Sequence, residues 1–231
     1  MTGIGAGLAG GEVLRMSVWY WLSRVGVKAL AALLLRLHFE GSSRVPRRGG
    51  LLVVSNHMNI ADPPLLAGAL TRPLAFMAKT ELFRGRWWSA ILRTWGVFPV
   101  RRGEIDVAAV RAALALLRAG GAVVIFPEGT RHPDGLGEAL PGIAYLAARS
   151  GCAILPIGIT GTEQLRGLRS LLHRPEVWVR VGEPFNIGRG DALEGAEHIM
   201  HSIAALIPPA KRGRYGALPG LDGRLEEPKE A

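Results

Sequence analysis

Leu51-Leu52-Val53-Val54-Ser55-Asn56-His57-Met58-Asn59-Ile60-Ala61-Asp62-Pro63-Pro64 changes character twice over a short length. The first five residues form an apolar, partly β-branched run, the mark of a strand buried on both faces. Polar Asn56 to Asn59 then break the run. Asp62-Pro63 reads as a helix start, because the first turn of a helix tolerates proline. A strand that feeds a helix through a short turn is the building unit of an α/β sheet. The same change recurs at Ala122-Val123-Val124-Ile125-Phe126, which leads into Pro127-Glu128-Gly129-Thr130-Arg131.

Working outward, short apolar runs predict strands at 51–55, 74–78, 97–100, 122–126, 154–159 and 177–181. Between them, helical periodicity predicts helices over 106–118, 141–149 and 191–206. Asp106 is a suitable N-cap for the first, with Gly120 at its end; Gly151 follows the second, and Pro208-Pro209 stop the third. The predicted fold is α/β, a single mainly parallel sheet flanked by helices, preceded by an N-terminal amphipathic two-helix segment. Residues 1–40 form that segment, 41–207 the α/β domain, and 208–231 a Pro-, Gly- and charge-rich tail expected to be loosely ordered.

The N-terminal stretch 13–38 has no uncharged run longer than Met16 to Ser23, far below the roughly 20 residues of a spanning helix. Arg15, Arg24, Lys28 and Arg36 recur at intervals compatible with one polar stripe, and Trp19, Tyr20 and Trp21 are ring types favoured at headgroup depth. One or two helices lying on a membrane surface fit this pattern; helices simply packed on the domain fit it too. No uninterrupted apolar stretch precedes a small-residue cleavage site, which argues against a cleaved signal peptide.

Composition narrows the chemistry. The apolar fraction of 48% is high for a soluble domain and hints at lipid contact. The single cysteine, Cys152, excludes an internal disulfide framework and any multi-cysteine metal site; its apolar neighbours mark it as a small buried hydrophobe. The net charge of +9 is concentrated, with 13 Lys and Arg against 5 Asp and Glu in residues 41–131. A basic cleft draws anionic substrates and anionic membrane surfaces. Nucleic acid is not expected as a partner, since aromatics are only 6% and zinc-ligand spacing is missing.

Both punctuated turns fall at the carboxyl ends of predicted strands, where α/β sheets gather their active sites. If the chain bends at Asp62, one carboxylate oxygen could cap the helix while the other accepts a hydrogen bond from the His57 ring. That bond would leave the other ring nitrogen free as a base able to deprotonate an alcohol. A capping aspartate beside an incidental histidine would satisfy the same spacing. In the second turn, Gly129 permits close backbone approach, Arg131 offers a fork suited to phosphate oxygens, and Glu128 could bond a substrate hydroxyl. A surface turn with a Glu–Arg ion pair is the alternative.

In order along the chain, Asn-His-x4-Asp at 56–62, Gly96-Val97-Phe98-Pro99-Val100-Arg101-Arg102, Phe-Pro-Glu-Gly-Thr-Arg at 126–131 and Leu155-Pro156-Ile157 resemble the four blocks of the glycerolipid acyltransferases. The nearest branch is similar to 1-acyl-glycerol-3-phosphate acyltransferases, and the resemblance is strong over about 50–160. It implies that His57 is a general base oriented by Asp62. It implies an acceptor site built from Glu128, Gly129 and Thr130, with Arg131 and Arg102 on the phosphate, and Pro156 on the acyl-donor side. Many members carry a lysine where this chain has Leu140, so Lys79 is a candidate for the missing phosphate contact.

The resemblance further implies transfer of an acyl group from acyl-CoA or acyl carrier protein to a lysophospholipid acceptor. No metal or other cofactor is expected, and attachment is expected to be peripheral, on the cytoplasmic face of the cell membrane. Another lysophospholipid or glycerol-3-phosphate as acceptor, a lipid thioesterase, and a non-catalytic lipid-binding protein are the competing readings. A Gly-x-Ser-x-Gly nucleophile motif is missing from the sequence.

Overall fold

Seven strands form one sheet in the order β1-β7-β6-β2-β5-β3-β4. They are β1 (Arg36–Glu40), β2 (Leu51–Ser55), β3 (Leu74–Lys79), β4 (Val97–Val100), β5 (Ala122–Ile125), β6 (Ala153–Thr160) and β7 (Glu176–Val181). The computed structural model describes residues 18–101, 106–140, 142–188 and 192–216. The strands β6, β2, β5, β3 and β4 run parallel, and β7 is antiparallel to β6. Central β2 lies between β5 and β6, with Val53 beside Val124 on one side and Leu155 on the other.

Period-two alternation splits the core into two layers. Leu52, Val54, Val123 and Ile154 face α4 (Val107–Arg118), α5 (Gly142–Ser150) and α7 (Ala192–Ala204). Leu51, Val53, Val124 and Leu155 face the other way, against Leu66, Ala67 and Leu70 around α2 (Asp62–Ala69). All five residues of β2 are buried, which is why it reads as a continuous apolar run. Helix α4 is capped as its sequence suggests: the Asp106 side chain accepts from Ala109 N at 3.0 Å, and Gly120 follows at φ +81.

Helix α1 (Val18–Leu34) crosses α2, anchored by the fully buried Tyr20, whose hydroxyl accepts from Leu74 N at 3.3 Å. Arg24 of the same helix donates to Leu70 O. Within the described residues the N-terminal segment is one helix, not two, and 36–40 form an edge strand instead of continuing it. Residues 13–17 lie outside the described residues. Cross-strand pairing decides the outcome at 36–40: Leu37 pairs with Val177, His38 stacks on Trp178 at 4.1 Å, and Arg180 bonds Glu40 at 2.9 Å. The sheet therefore begins at Arg36, ahead of the boundary expected at 41.

The tail also differs from expectation over its first part. Tyr215 is buried against the α4–α5–α7 layer, Arg212 Nε donates to Ile207 O, and Lys211 O accepts from Leu136 N at 2.8 Å. An aromatic ring that completes a core holds this stretch in place; residues 217–231 lie outside the described residues. Two helices have no counterpart in the sequence reading: α3 (Arg86–Thr94), between β3 and β4, and the short α6 (Leu168–Leu171). Among the described residues, no helix is long and apolar enough to cross a membrane.

Candidate active site

The carboxyl ends of β2 and β5 lie side by side, and their following turns interlock. His57 Nδ1 lies 2.8 Å from Asp62 Oδ2. The same oxygen accepts the backbone N–H groups of Met58 and Asn59, each at 2.7 Å. One fully buried carboxylate oxygen thus gathers three donors and bends 57–62 into a closed turn. The expected division of labour between the two oxygens is not what forms. Ala61 occupies the N-cap position of α2, no side chain caps it, and Oδ1 has no hydrogen-bond partner among the described residues. Asp62 points back at His57 because that turn supplies the donors.

With Nδ1 as donor to Asp62, the tautomer leaves Nε2 as the free base. No described residue bonds Nε2, and the His57 side chain keeps 13% of its surface exposed. Its ring is held flat on Phe126, with centroids 4.1 Å apart and planes 20° off parallel. Phe126 was expected to close β5; it leaves the strand to become this platform. His132 N donates to His57 O at 2.7 Å and fastens the second turn to the first.

Glu128 is buried and faces inward. Its Oε2 accepts from His57 N and its Oε1 from Gly137 N, each at 3.0 Å. Burial pushes its carboxyl up to about 7, with the nearby Asp62 charge adding to the rise and the two N–H bonds opposing it. Glu128 therefore braces the base-bearing turn, with both oxygens engaged by main chain. Gly129 adopts φ +67, a left-handed conformation that side-chain-bearing residues rarely take, and a Cβ there would also press on the Leu140 side chain, so the turn favours glycine.

Thr130 and Arg131 are exposed beyond that glycine, and among the described residues the Arg131 guanidinium makes no hydrogen bond or ion pair. Lys79 is exposed at the end of β3, and Arg101 follows the neighbouring β4. Since β2, β5, β3 and β4 are successive neighbours, the base, Arg131, Lys79 and Arg101 line one rim of the sheet. Arg102 lies outside the described residues. Pro156 is buried in the body of β6, opposite Val54; its carbonyl accepts from Gly182 N at 2.9 Å. It is brought into the sheet, not to the rim.

Asn56 was quoted in the sequence motif without a role. It is fully inside, its amide donating to Ile159 O at 2.8 Å and accepting from Ile159 N at 2.7 Å. This bidentate link pins the end of β2 to the end of β6. A cleft of about 480 Å³ lined by Arg47, Arg48 and Arg72 lies at the opposite, amino-terminal edge of the sheet. Arg72 spends its nitrogens on the carbonyls of Pro46, Gly49 and Gly120, so that cleft is a structural clasp.

A base, its orienting carboxylate and an unpaired arginine on one rim suit acyl or phosphoryl chemistry on an anionic alcohol. The protein-family model described as Acyltransferase matches residues 36–160, more than half of the chain. The chain belongs to the acyltransferase family. This acyltransferase is 30% identical over 72% of its length to the 1-acyl-sn-glycerol-3-phosphate acyltransferase of Streptococcus pneumoniae, covering 62% of that protein. It is 32% identical over 77% of its length to N-acylphosphatidylethanolamine synthase of Arabidopsis thaliana, covering 69% of it. The crystal structure of the 1-acyl-sn-glycerophosphate (LPA) acyltransferase PlsC from Thermotoga maritima superposes with a TM-score of 0.64 at 25% identity, over 81% of this chain and 79% of that one. The chain spans 46–62% of the length of the first curated relatives that it matches.

Proposed function

We propose that this acyltransferase moves a fatty acyl group from acyl-CoA or acyl carrier protein to the free hydroxyl of 1-acyl-glycerol-3-phosphate, giving phosphatidic acid at the cytoplasmic face of the cell membrane. The observation that carries the reading is the 2.8 Å contact between His57 Nδ1 and Asp62 Oδ2, which leaves Nε2 as a base on the rim that also carries Arg131 and Lys79. His57 Nε2 takes the acceptor's hydroxyl proton as that oxygen attacks the thioester carbonyl. The C–S bond then breaks, and the departing thiolate recovers the proton from His57. The donor thioester serves as co-substrate, and this sequence of steps closes without a metal or other cofactor.

Arg131 is the first choice for the acceptor phosphate, as an exposed guanidinium two residues beyond the tight Gly129 turn. Lys79, at the end of β3, is a further candidate, and Arg102 is one by its place in the sequence motif. The likeness to N-acylphosphatidylethanolamine synthase supports a second reading, in which a lipid amine is the acceptor.

Purified protein assayed with acyl-CoA against 1-acyl-glycerol-3-phosphate, other lysophospholipids, glycerol-3-phosphate, phosphatidylethanolamine and water separates these readings. Proton abstraction by a placed base contributes about 10²–10⁴-fold. His57→Ala should lose that much on the preferred acceptor while keeping its circular dichroism, and Asp62→Asn should be impaired with it. Turnover of folded His57→Ala near the wild-type level would sink the dyad; preference for the amine would move the acceptor to the second reading.

A further inference from the structure

The segment between β3 and β4 places apolar rings where a protein that faces only water would not. Helix α3 has no buried residue, and Trp87, Trp88 and Ile91 are 88%, 52% and 51% exposed. Leu82, in the turn before it, is 48% exposed. Arg84, Arg86 and Arg93 are exposed in the same segment, Arg86 and Arg93 on the polar side of the helix, and residues 79–101 hold five Lys and Arg against one Glu. Contiguous exposed apolar surface of this kind marks a contact site. Tryptophan beside arginine matches the boundary between headgroups and acyl chains of an anionic bilayer.

The place of α3 in the fold supports the same occupant. Its first turn follows the carboxyl end of β3, the rim that holds His57 and Arg131. Its last turn leads to Trp95, whose ring meets that of Tyr20 in α1 edge-to-face, with centroids 6.1 Å apart. Helix α1 itself exposes Trp19, Leu22, Val25, Leu30 and Leu33 at 55–73%. Two helices with exposed apolar side chains are thus linked through the Tyr20–Trp95 contact.

We propose that α3 is a membrane-contact element in its own right: Trp87, Trp88 and Ile91 enter the interface of an anionic bilayer, while Arg84, Arg86 and Arg93 meet lipid phosphates. Docking through α3 sets the catalytic rim at headgroup depth, so a lipid acceptor need not leave the bilayer to reach His57. The inference deepens the proposed lipid-acceptor reading, but its test requires no turnover.

The test is flotation of the full chain with vesicles of phosphatidylcholine alone and of phosphatidylcholine with phosphatidylglycerol. W87A/W88A should bind mixed vesicles about 10- to 100-fold more weakly than wild type, as expected for withdrawing two large rings from the interface. R84Q/R86Q/R93Q should lose most of the preference for the anionic mixture. Hydrogen exchange on wild-type protein gives a second readout: residues 84–94 should gain protection only when mixed vesicles are added. Binding by folded W87A/W88A equal to wild type, or no vesicle-induced protection at 84–94 in bound protein, would overturn the proposal. A free protein that sediments as a dimer, and that W87A/W88A turns into a monomer, would also overturn it, by assigning the face to a second copy. Acylation of a monomeric short-chain acceptor is measured in parallel. If that activity is missing from wild type while flotation behaves as expected, the acceptor reading fails and the docking reading stands.

Discussion

Replacing Glu128 with glutamine separates what the buried carboxyl contributes as a brace from what it costs as a charge. The carboxyl titrates at about 7 in the folded protein against an ordinary 4.5, chiefly because it is buried. At about 1.4 kcal/mol per pH unit, that difference amounts to roughly 3 kcal/mol. Below pH 4.5 both folded and unfolded chains carry the proton. Between 4.5 and 7 the folded chain binds more protons than the unfolded one, so stability falls as pH rises, and above 7 the loss is complete. Glutamine cannot ionise and lacks this dependence. It has one acceptor oxygen for two convergent donors, His57 N and Gly137 N, so one N–H goes unmet at a cost of about 1–3 kcal/mol.

Urea unfolding of both proteins from pH 4.5 to 8 isolates the effect, because the other titrating groups are common to both. The advantage of wild type over Glu128→Gln should shrink by roughly 3 kcal/mol across that range. At any pH, kcat should fall in the variant, because the main chain that carries the base has lost an anchor. An advantage that stays constant, or grows with pH, would mean that the two N–H bonds outweigh burial and that the carboxyl is charged throughout. The account of Glu128 would then be wrong.

A charge-assisted phosphate contact contributes about 1.5–3 kcal/mol, so Arg131→Ala should raise the acceptor KM, lower kcat, or both, by roughly 10- to 150-fold with little change in donor KM. Arg131→Lys should rescue only in part, as it loses the fork; a defect confined to the donor would place Arg131 on the donor's phosphates. Asn56→Ala strips both backbone groups of Ile159 of their partner and should cost about 2–4 kcal/mol, read as a Tm lower by roughly 5–15 °C. An unchanged Tm would show that the β2–β6 link is redundant.

The sheet was legible because its central strands are buried on both faces and announce themselves as apolar runs, with limits that miss by a residue or so. The edge strand β1 was not. Arg36-Leu37-His38-Phe39-Glu40 is half polar, and only β7, 140 residues further on, makes it a strand, through pairs such as Glu40 with Arg180. Helix α3 escaped for a related reason. Its apolar side chains face outward, so they do not mark a stripe packed on the sheet. In the site, the spacing of His57 and Asp62 implied their contact, but the direction of Glu128 depended on Gly137, nine residues beyond it. The platform under His57 depended on Phe126 leaving its strand. Tertiary neighbours decide such details, and a linear motif does not hold them.

The order of strands along the rim has an evolutionary corollary. The proton-handling parts hang from β2 and the start of the β5 turn, locked by main-chain bonds among 57–62, Glu128 and His132. The cations proposed for the acceptor hang from the end of that turn and from the ends of β3 and β4, further out, where no described bond ties Lys79 or Arg131 to the lock. A substitution in one set need not disturb the other. Exchange of residues 79–84 between relatives should therefore alter any acceptor preference that these cations set, with the His57–Asp62 turn left in place.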